Sequence, residues 1–169
     1  MLQSIFGNRE TLLGNDYQAK LATPFAVLGI RVSGGQLRHI EYLPLGIATL
    51  APTNALAEKV CRQIEKYIDD SEYTFDLPFE LAGTDFQQRV WREIAKISTG
   101  KTRTYGELAK RLKSGPRAVG GACGANKLPL VIPCHRVIAA NGGLGGFMNA
   151  RGGLPLDIKR WLLKHEAGI

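Results

Sequence analysis

The pattern of the amino-acid sequence changes near residue 80, and this change constrains the fold more than any other feature. Before it, two strand-like runs are followed by one helical repeat, whereas after it helical repeats alternate with glycine-rich turns. Pro78 prevents a helix from crossing the change. The 169 residues suffice for two small hydrophobic cores. We therefore predict an α/β (α+β) protein with a sheet-containing domain over residues 1–80 and a helical domain over residues 83–169.

The first block predicts a β-hairpin followed by one helix. Apolar and β-branched runs at residues 25–32 and 37–42 flank Ser-Gly-Gly-Gln, whose glycines can take the positive φ of a tight turn. Asn54 then precedes apolar residues at helical spacing, and the pattern ends in Asp-Asp-Ser at residues 69–71. His39 and Cys61 fall within these patterns, and we expect packing or surface roles for both. Nothing in this block indicates catalysis.

The charge is divided unevenly between the two blocks. Residues 1–82 carry seven basic and ten acidic side chains, a net charge of −3, whereas residues 83–169 carry fifteen and five, a net charge of +10. A positive field confined to one half favours a polyanionic partner, because cations placed against phosphates release condensed counterions. A soluble basic surface without such a partner explains the charge equally well.

The second block opens with the outline of a helix-turn-helix. Thr84 begins a capping box, and the helix after it carries apolar residues up to Ile97, with its end predicted at Gly100. A short amphipathic helix at residues 107–112, a Ser-Gly-Pro breaker and a second helix of small residues at 117–125 then follow. Two packed structural helices would give the same pattern. Combined with the positive charge, it indicates a DNA-binding unit.

One of the three cysteines is placed as a nucleophile. Val131 and Ile132 read as a strand that leads through a proline to Cys134, which is followed directly by a histidine and an arginine. Such basic surroundings favour the thiolate, which is the nucleophilic form. Cys61 and Cys123 read as inert buried thiols. No cysteine has a spacing suited to zinc, so we expect reduced thiols and no metal.

The last apolar repeat is followed by a carboxylate, Glu166, that could take part in catalysis. Ile158, Trp161, Leu162 and His165 share one helix face, and Glu166 follows beside it. A carboxylate in this position could orient an imidazole that takes a proton from the thiol. A solvated side chain is the alternative for Glu166, and the spacing alone favours that alternative.

The remaining observations concern the compartment. No apolar run approaches the roughly 20 residues of a membrane span, and residues 1–15 lack the basic flank and apolar block of a secretory signal. We therefore expect a cytoplasmic protein that does not bind membranes.

Together these residues resemble the O6-alkylguanine-DNA alkyltransferase family. The resemblance is strong over residues 83–169 and weak over the first domain. It rests on Gly-Thr-Asp-Phe-Gln at 83–87, Val90-Trp91, Thr104-Tyr105-Gly106, Arg-Ala-Val-Gly-Gly-Ala at 117–122, Asn126, Ile-Pro-Cys-His-Arg-Val at 132–137 and Trp-Leu-Leu-Lys-His-Glu at 161–166. It implies a ribonuclease-H-like first domain without nuclease chemistry, followed by a winged helix-turn-helix domain.

The resemblance also implies an activity, namely irreversible, single-turnover DNA repair. The alkyl group of O6-alkylguanine, or of O4-alkylthymine, passes from duplex DNA to the protein's own cysteine without a cofactor. The target base is flipped out of the helix, and the second helix of the helix-turn-helix lies in the minor groove. The resemblance implies a monomer that can assemble cooperatively on DNA.

Individual roles follow from the resemblance, position by position. The nucleophile falls on Cys134, the proton-relay histidine on His135, with a water in the relay, and the carboxylate on Glu166. Tyr105 matches the tyrosine that donates a hydrogen bond or proton to the leaving guanine, and Asn126 matches the asparagine that braces the cysteine loop. Arg117 matches the arginine that fills the space of the flipped nucleotide. The further DNA-binding positions are Thr104, Ala118, Gly120, Gly121 and Lys127, and the substrate pocket includes Val137, Phe147 and Met148.

The sequence departs from the family pattern in several places. Gly124 and Ala125 precede Asn126 where the family usually has a basic residue, and Lys127 replaces a common proline. The loop at residues 141–153 is longer by about three residues, with Phe147 in place of a common tyrosine. These changes leave an alternative open, a damage-recognition protein that flips the base without transfer. A cysteine hydrolase is a third hypothesis, but it leaves the basic helical block unexplained.

Overall fold

The structure is a computed structural model that describes residues 16–148, 150 and 152–168. The sequence-based prediction that residues 1–15 carry no secretory signal lies outside the described residues. Within the described part, the chain forms a small antiparallel sheet followed by helices, which confirms the predicted α/β class. No helix in this part is long and apolar enough to cross a membrane. The division into domains at residues 1–80 and 83–169 stays a prediction.

The first sheet has three antiparallel strands in the order β1-β2-β3, with β1 at Ala19–Ala22, β2 at Val27–Ser33 and β3 at Gln36–Leu43. The predicted hairpin is confirmed, because Ser33 pairs with Gln36 across two residues. These are Gly34 and Gly35, with φ of 57° and 74°, a left-handed conformation that glycine adopts without strain. Strand β1 was not predicted, since its four residues carry little of the period-two pattern.

Helix α1 spans Ala55–Asp69, as its apolar spacing predicts. It begins where the Asn54 side chain accepts a hydrogen bond from the Ala57 backbone N–H at 2.8 Å. The helix packs against all three strands, and its buried face includes Val60, Ile64 and Tyr67. Tyr67 lies at the end of α1 that reaches the second block.

Helix α2 spans Asp85–Ala95 and begins with the predicted capping box of Thr84 and Gln87. The prediction that it continues to Gly100 is wrong. The carbonyl oxygen of Ile97 accepts a hydrogen bond from Arg136 at 2.6 Å, so this backbone serves a tertiary contact. Gly100 lies in a later turn, with a φ of 75°.

The helix-turn-helix outline is confirmed by the next elements. Strand β4 spans Arg103–Thr104, helix α3 spans Tyr105–Leu112, and helix α4 spans Pro116–Gly124. Helix α3 begins two residues before its predicted start, because Thr104 and Glu107 form a second capping box. The Thr-x-x-Glu pattern at residues 104–107 is the sequence signal for this start.

The chain then runs through turns to a single 3-10 turn at Cys134–Arg136, strand β5 at Val137–Ile138 and helix α5 at Leu154–Glu166. The prediction of a strand at Val131 and Ile132 is wrong, since both lie in a turn. The Ile132 backbone N–H donates to the Leu128 carbonyl, and the Ile132 carbonyl accepts from a side chain, so neither group is left for a sheet. Strand β5 pairs in parallel with β4.

Candidate active site and nucleic-acid interface

Cys134 begins the 3-10 turn and is almost fully buried, with 2% of its surface exposed. The Asn126 side-chain amide donates hydrogen bonds to the Cys134 sulfur at 3.3 Å and to the Ile132 carbonyl at 3.0 Å. Its oxygen accepts from the Leu128 backbone N–H at 2.9 Å. Asn126 therefore ties the sulfur to the turn that precedes it, which is the position that the resemblance implies.

Burial decides the resting state of the thiol. Removal from water raises the pKa of Cys134, and hydrogen bonds from Asn126 and the backbone, together with the positive charge of Lys159, lower it by less. The expectation that the neighbouring histidine and arginine favour the thiolate is therefore wrong. The Arg136 guanidinium points to Glu166 and Ile97. Cys134 rests as a thiol and needs a base to become a nucleophile.

The residue after Cys134 forms a buried imidazole–carboxylate pair with Glu166. The His135 Nε2 atom lies 2.7 Å from Glu166 Oε1, and both side chains are 1% exposed. Donors from His135 and Arg136 hold the pKa of Glu166 well below its usual range despite its burial, so the carboxylate is ionised and can only accept. The Nε2 atom of His135 must then be the donor. Burial lowers the pKa of His135, which leaves a neutral ring whose Nδ1 lone pair is free to accept a proton.

The Nδ1 atom is available in the structure as well. It is buried and has no hydrogen-bond partner within the part of the chain that the structure describes. Buried polar atoms are nearly always paired, so an unpaired one at this position indicates a functional role. The pair of His135 and Glu166 thus supplies a base on the residue that follows the thiol.

Glu166 is buried and hydrogen-bonded, although its position in the sequence favours a solvated side chain. The alternative of a solvated side chain is wrong, because the last turn of α5 packs against the core. Arg136 donates to both carboxylate oxygens at 2.8 and 2.9 Å, and it also donates to the Thr99 hydroxyl at 3.1 Å. Tyr67 donates to Oε1 at 2.8 Å. Sequence spacing could not show these contacts, since they come from three separate segments.

A cavity of about 720 Å³ opens onto Cys134. Its lining includes Tyr105 and Arg117, as well as Gly120, Gly121, Phe147 and Met148, all of which the resemblance places at DNA or substrate. The Tyr105 hydroxyl donates to the Gly146 carbonyl at 3.0 Å, so the ring lies against the loop that forms one wall. The described part of the lengthened loop, which omits residues 149 and 151, therefore leaves a space at the sulfur. A second thiol, Cys123, lines the same cavity.

The surface of α4 is open beside this cavity. A side-chain carbon placed at Gly120 or Gly121 would meet no other atom of the described chain within 4 Å. Packing within the protein therefore does not require glycine at either position. Arg117 and Ala118 on the same helix are exposed. This face is suited to close approach by an external partner, as the sequence pattern predicts.

Three of the residues predicted to contact DNA or substrate lie neither in the cavity lining nor on α4. Val137 is fully buried and does not line the cavity. The Thr104 hydroxyl accepts from the Glu107 backbone N–H at 3.0 Å, so this side chain caps α3. Lys127 is exposed but lines a separate cleft, and its carbonyl accepts from the Ile40 backbone N–H at 3.0 Å.

Sequence reasoning missed Lys159, which lies on α5 and is fully buried. Its ammonium donates to the carbonyls of Val137, Leu144 and Gly146 at 2.7, 2.6 and 2.9 Å. Burial lowers its pKa to about 8. Lys159 thereby ties the cavity loop to α5. The sequence signal that could have identified it is a lysine directly after Ile158, within an apolar helical pattern.

The fold and the site together define a class of protein: helix-turn-helix proteins in which a buried cysteine and the second helix line one cavity. Comparisons with known proteins narrow this class. Residues 85–168 match the family described as 6-O-methylguanine DNA methyltransferase, DNA binding domain. A methylated-DNA–protein-cysteine methyltransferase from Methanosarcina mazei is 44% identical over 137 residues, which cover 77% of this chain and 84% of the relative. One from Candida albicans is 34% identical, over 92% of this chain and 86% of the relative.

Comparison with solved structures identifies proteins of the same family. Mycobacterium tuberculosis OGT in complex with DNA superposes with a TM-score of 0.75 and 34% identity, covering 88% of this chain and 91% of that chain. An O6-methylguanine DNA methyltransferase from Methanococcus jannaschii superposes with a TM-score of 0.64 and 29% identity, over 88% and 92% of the two chains. The chain belongs to the methylated-DNA–protein-cysteine methyltransferase family, which confirms the resemblance found in the sequence.

Proposed function

We propose that this protein repairs duplex DNA by moving the alkyl group of O6-alkylguanine onto Cys134, once per molecule. The observation that carries this proposal is that Cys134 lines an open cavity while an unpaired, buried imidazole nitrogen lies on the adjacent residue. O4-alkylthymine is the second substrate that we propose. Double-stranded DNA is the partner, bound by a monomer.

The first step is removal of the thiol proton. His135 Nδ1 takes the proton from Cys134, with a water molecule as the carrier in the relay. The imidazolium that forms is stabilised by the ionised Glu166 at 2.7 Å. Because the pKa of the thiol is raised by burial, this transfer is required for reaction and is the main role of the pair.

The second step is displacement at the alkyl carbon. The thiolate forms a carbon–sulfur bond as the bond from that carbon to guanine O6 breaks, and the electron pair passes to the guanine. Tyr105 lines the same cavity and donates a hydrogen bond or proton to the departing base. The product is a thioether, which no group in the site can hydrolyse. Each molecule therefore acts once and needs no cofactor.

The DNA must deliver the base into the cavity. A base inside the stack cannot reach a buried sulfur, so we propose that the nucleotide is flipped out and that Arg117 fills the gap. The open face of α4 then lies in the minor groove, where glycines at 120 and 121 permit close backbone approach. The positive charge of residues 83–169 supports binding to the phosphates.

Intact-mass analysis after incubation with methylated duplex tests the transfer. We expect the mass gain of one methyl group, located on the peptide that contains Cys134, and no gain in the Cys134→Ala variant. Cys123→Ala is the matched control, because this thiol lines the same cavity and its loss should leave the transfer intact. Specific binding to damaged DNA without any mass gain would instead identify a damage-recognition protein. Duplexes with O4-alkylthymine test the second substrate in the same assay.

The role of Arg117 has a separate test. If its side chain supports the flipped state, Arg117→Ala should slow transfer from duplex DNA by about 100-fold, with little effect on reaction with free O6-benzylguanine. Equal slowing with both substrates would remove this role. Exposed Lys113 is the control position, since Lys113→Ala removes a nearby charge outside the cavity lining.

A further inference from the structure

The first block of the chain contributes directly to the site through Tyr67. This tyrosine is at the last turns of α1, is 2% exposed, and donates its hydroxyl hydrogen to Glu166 Oε1 at 2.8 Å. The two residues are 99 positions apart in the chain. The carboxylate that holds the imidazole is therefore itself held from the opposite half of the molecule.

A second contact fixes the same junction. His165 Nε2 lies 2.8 Å from the Tyr67 carbonyl oxygen, which can only accept, so the imidazole is the donor. The rings of these two residues meet edge to face, with centroids 5.3 Å apart. Two consecutive residues of α5, His165 and Glu166, thus bind one residue of α1. Tyr67 is therefore held both at its hydroxyl and at its carbonyl.

The donors on the carboxylate are not equivalent. Oε1 accepts from Tyr67, from His135 and from one Arg136 nitrogen, whereas Oε2 accepts from another Arg136 nitrogen. The oxygen that orients the catalytic imidazole is therefore the one that the tyrosine also binds. A hydroxyl in this position fixes the direction of the oxygen and takes up part of its negative charge.

We propose that Tyr67 is a positioning residue for alkyl transfer, so that the first block completes the proton relay through its hydroxyl. This inference rests on the proposed function and adds to it a role for α1. The Tyr67 side chain is not part of the cavity lining at Cys134. It acts on His135 through Glu166.

The charged groups around His135 decide the sign of the expected effect. Burial lowers its pKa most, Glu166 raises it, and Arg136 and Lys159 lower it. Without the tyrosine hydroxyl, Glu166 carries more uncompensated negative charge and attracts a proton on His135 more strongly. His135 should then be protonated, and lost as a base, at a higher pH than in the parent protein.

The test is Tyr67→Phe in the full chain, which removes one oxygen and retains the ring. We expect transfer at neutral pH to fall about ten-fold, the size expected when a hydrogen bond to a charged group is lost, because the freed carboxylate no longer fixes the orientation of the imidazole. We also expect the acidic limb of the pH–rate profile to move to higher pH. Tyr73→Phe is the matched control, because that ring packs on Phe75 and Lys66 and its hydroxyl is not among the donors to Glu166. It should change neither quantity.

A purely structural role predicts a different result, in which thermal stability falls but the acidic limb stays in place. That outcome, or an unchanged rate, would overturn the proposal. NMR titration of the His135 ring supplies a readout that requires no DNA, and its midpoint should move to higher pH in Tyr67→Phe. If the parent protein does not transfer alkyl groups, the proposed function fails. The titration and the alkylation of Cys134 by iodoacetamide, followed by peptide mass, still test Tyr67.

Discussion

Replacing Glu166 by glutamine tests the whole relay, because this carboxylate collects four hydrogen bonds from three residues. Glutamine has the same shape, but it carries no charge and presents an N–H₂ group to donors. Arg136 would lose its ion pair while its side chain stays mostly buried, at 12% exposure. Loss of one partner of a buried ion pair costs about 3 kcal/mol.

This loss should be visible as a lower melting temperature. For a chain of this size each kcal/mol corresponds to about 3 °C, so we expect Glu166→Gln to melt about 9 °C below the parent protein. Alkyl transfer should slow by about 100-fold at neutral pH, since the imidazolium loses its counter-charge. Calorimetry gives the first quantity and intact-mass kinetics the second.

The pH dependence gives a further check. The folded pKa of Glu166 is depressed, so its stabilisation is fully present above the unfolded pKa of about 4.3 and is lost as pH falls toward the folded pKa. The stability difference between parent and variant should hold from pH 8 to about 5 and shrink at lower pH. Asp157→Asn is the control on the same helix, because its ion pair with Arg160 is exposed, and it should change stability by less than about 0.5 kcal/mol. A melting temperature and a transfer rate for Glu166→Gln equal to those of this control would refute the reasoning.

Three further substitutions have separate expected outcomes. Asn126→Ala removes the side-chain donor to Cys134, and transfer followed by intact mass should slow about ten-fold, whereas an unchanged rate would exclude this contact from the mechanism. Lys159→Met removes the ammonium that binds the carbonyls of Val137, Leu144 and Gly146, and urea denaturation should show a loss of about 3 kcal/mol, with exposed Lys164→Met unchanged. Trp91→Phe removes the indole hydrogen bond to a carbonyl of α4 at 2.8 Å and should cost about 1 kcal/mol by the same measurement, so a stability equal to the parent's would show that this bond contributes nothing.

Local signals in the sequence predicted the elements whose boundaries depend on local chemistry. The Gly-Gly turn, the Asn54 cap and the Thr84 capping box each act within four residues, so a pattern along the chain is sufficient to find them. The prediction of where α2 ends was wrong for the opposite reason, since that region makes contacts with residues far away in the sequence. Just beyond that end, the Ile97 carbonyl binds Arg136, which lies 39 positions away in the chain.

The same division holds within the site. Cys134, His135 and Asn126 were found because the residues that place them are neighbours in the chain or match a family motif. Lys159 and Tyr67 were missed, because their importance comes from contacts with three loop carbonyls and with a carboxylate 99 positions away. Residues that act through tertiary contacts have the sequence pattern of ordinary core positions.

The raised pKa of Cys134 has a consequence if the protein reacts only once, as proposed. A permanently ionised sulfur would be alkylated by any small electrophile, and each such event would consume one molecule. Burial keeps the thiol protonated, and the neighbouring base has a pKa lowered by the same burial. In the proposed relay neither group is reactive alone, so the nucleophile forms only when the proton moves to His135 and the charge is balanced by Glu166. Because the pKa of His135 is lowered, its ring stays neutral, and able to accept a proton, at pH values below its ordinary pKa. Spontaneous alkylation of Cys134 should therefore stay slow under conditions in which relay-dependent transfer is already fast.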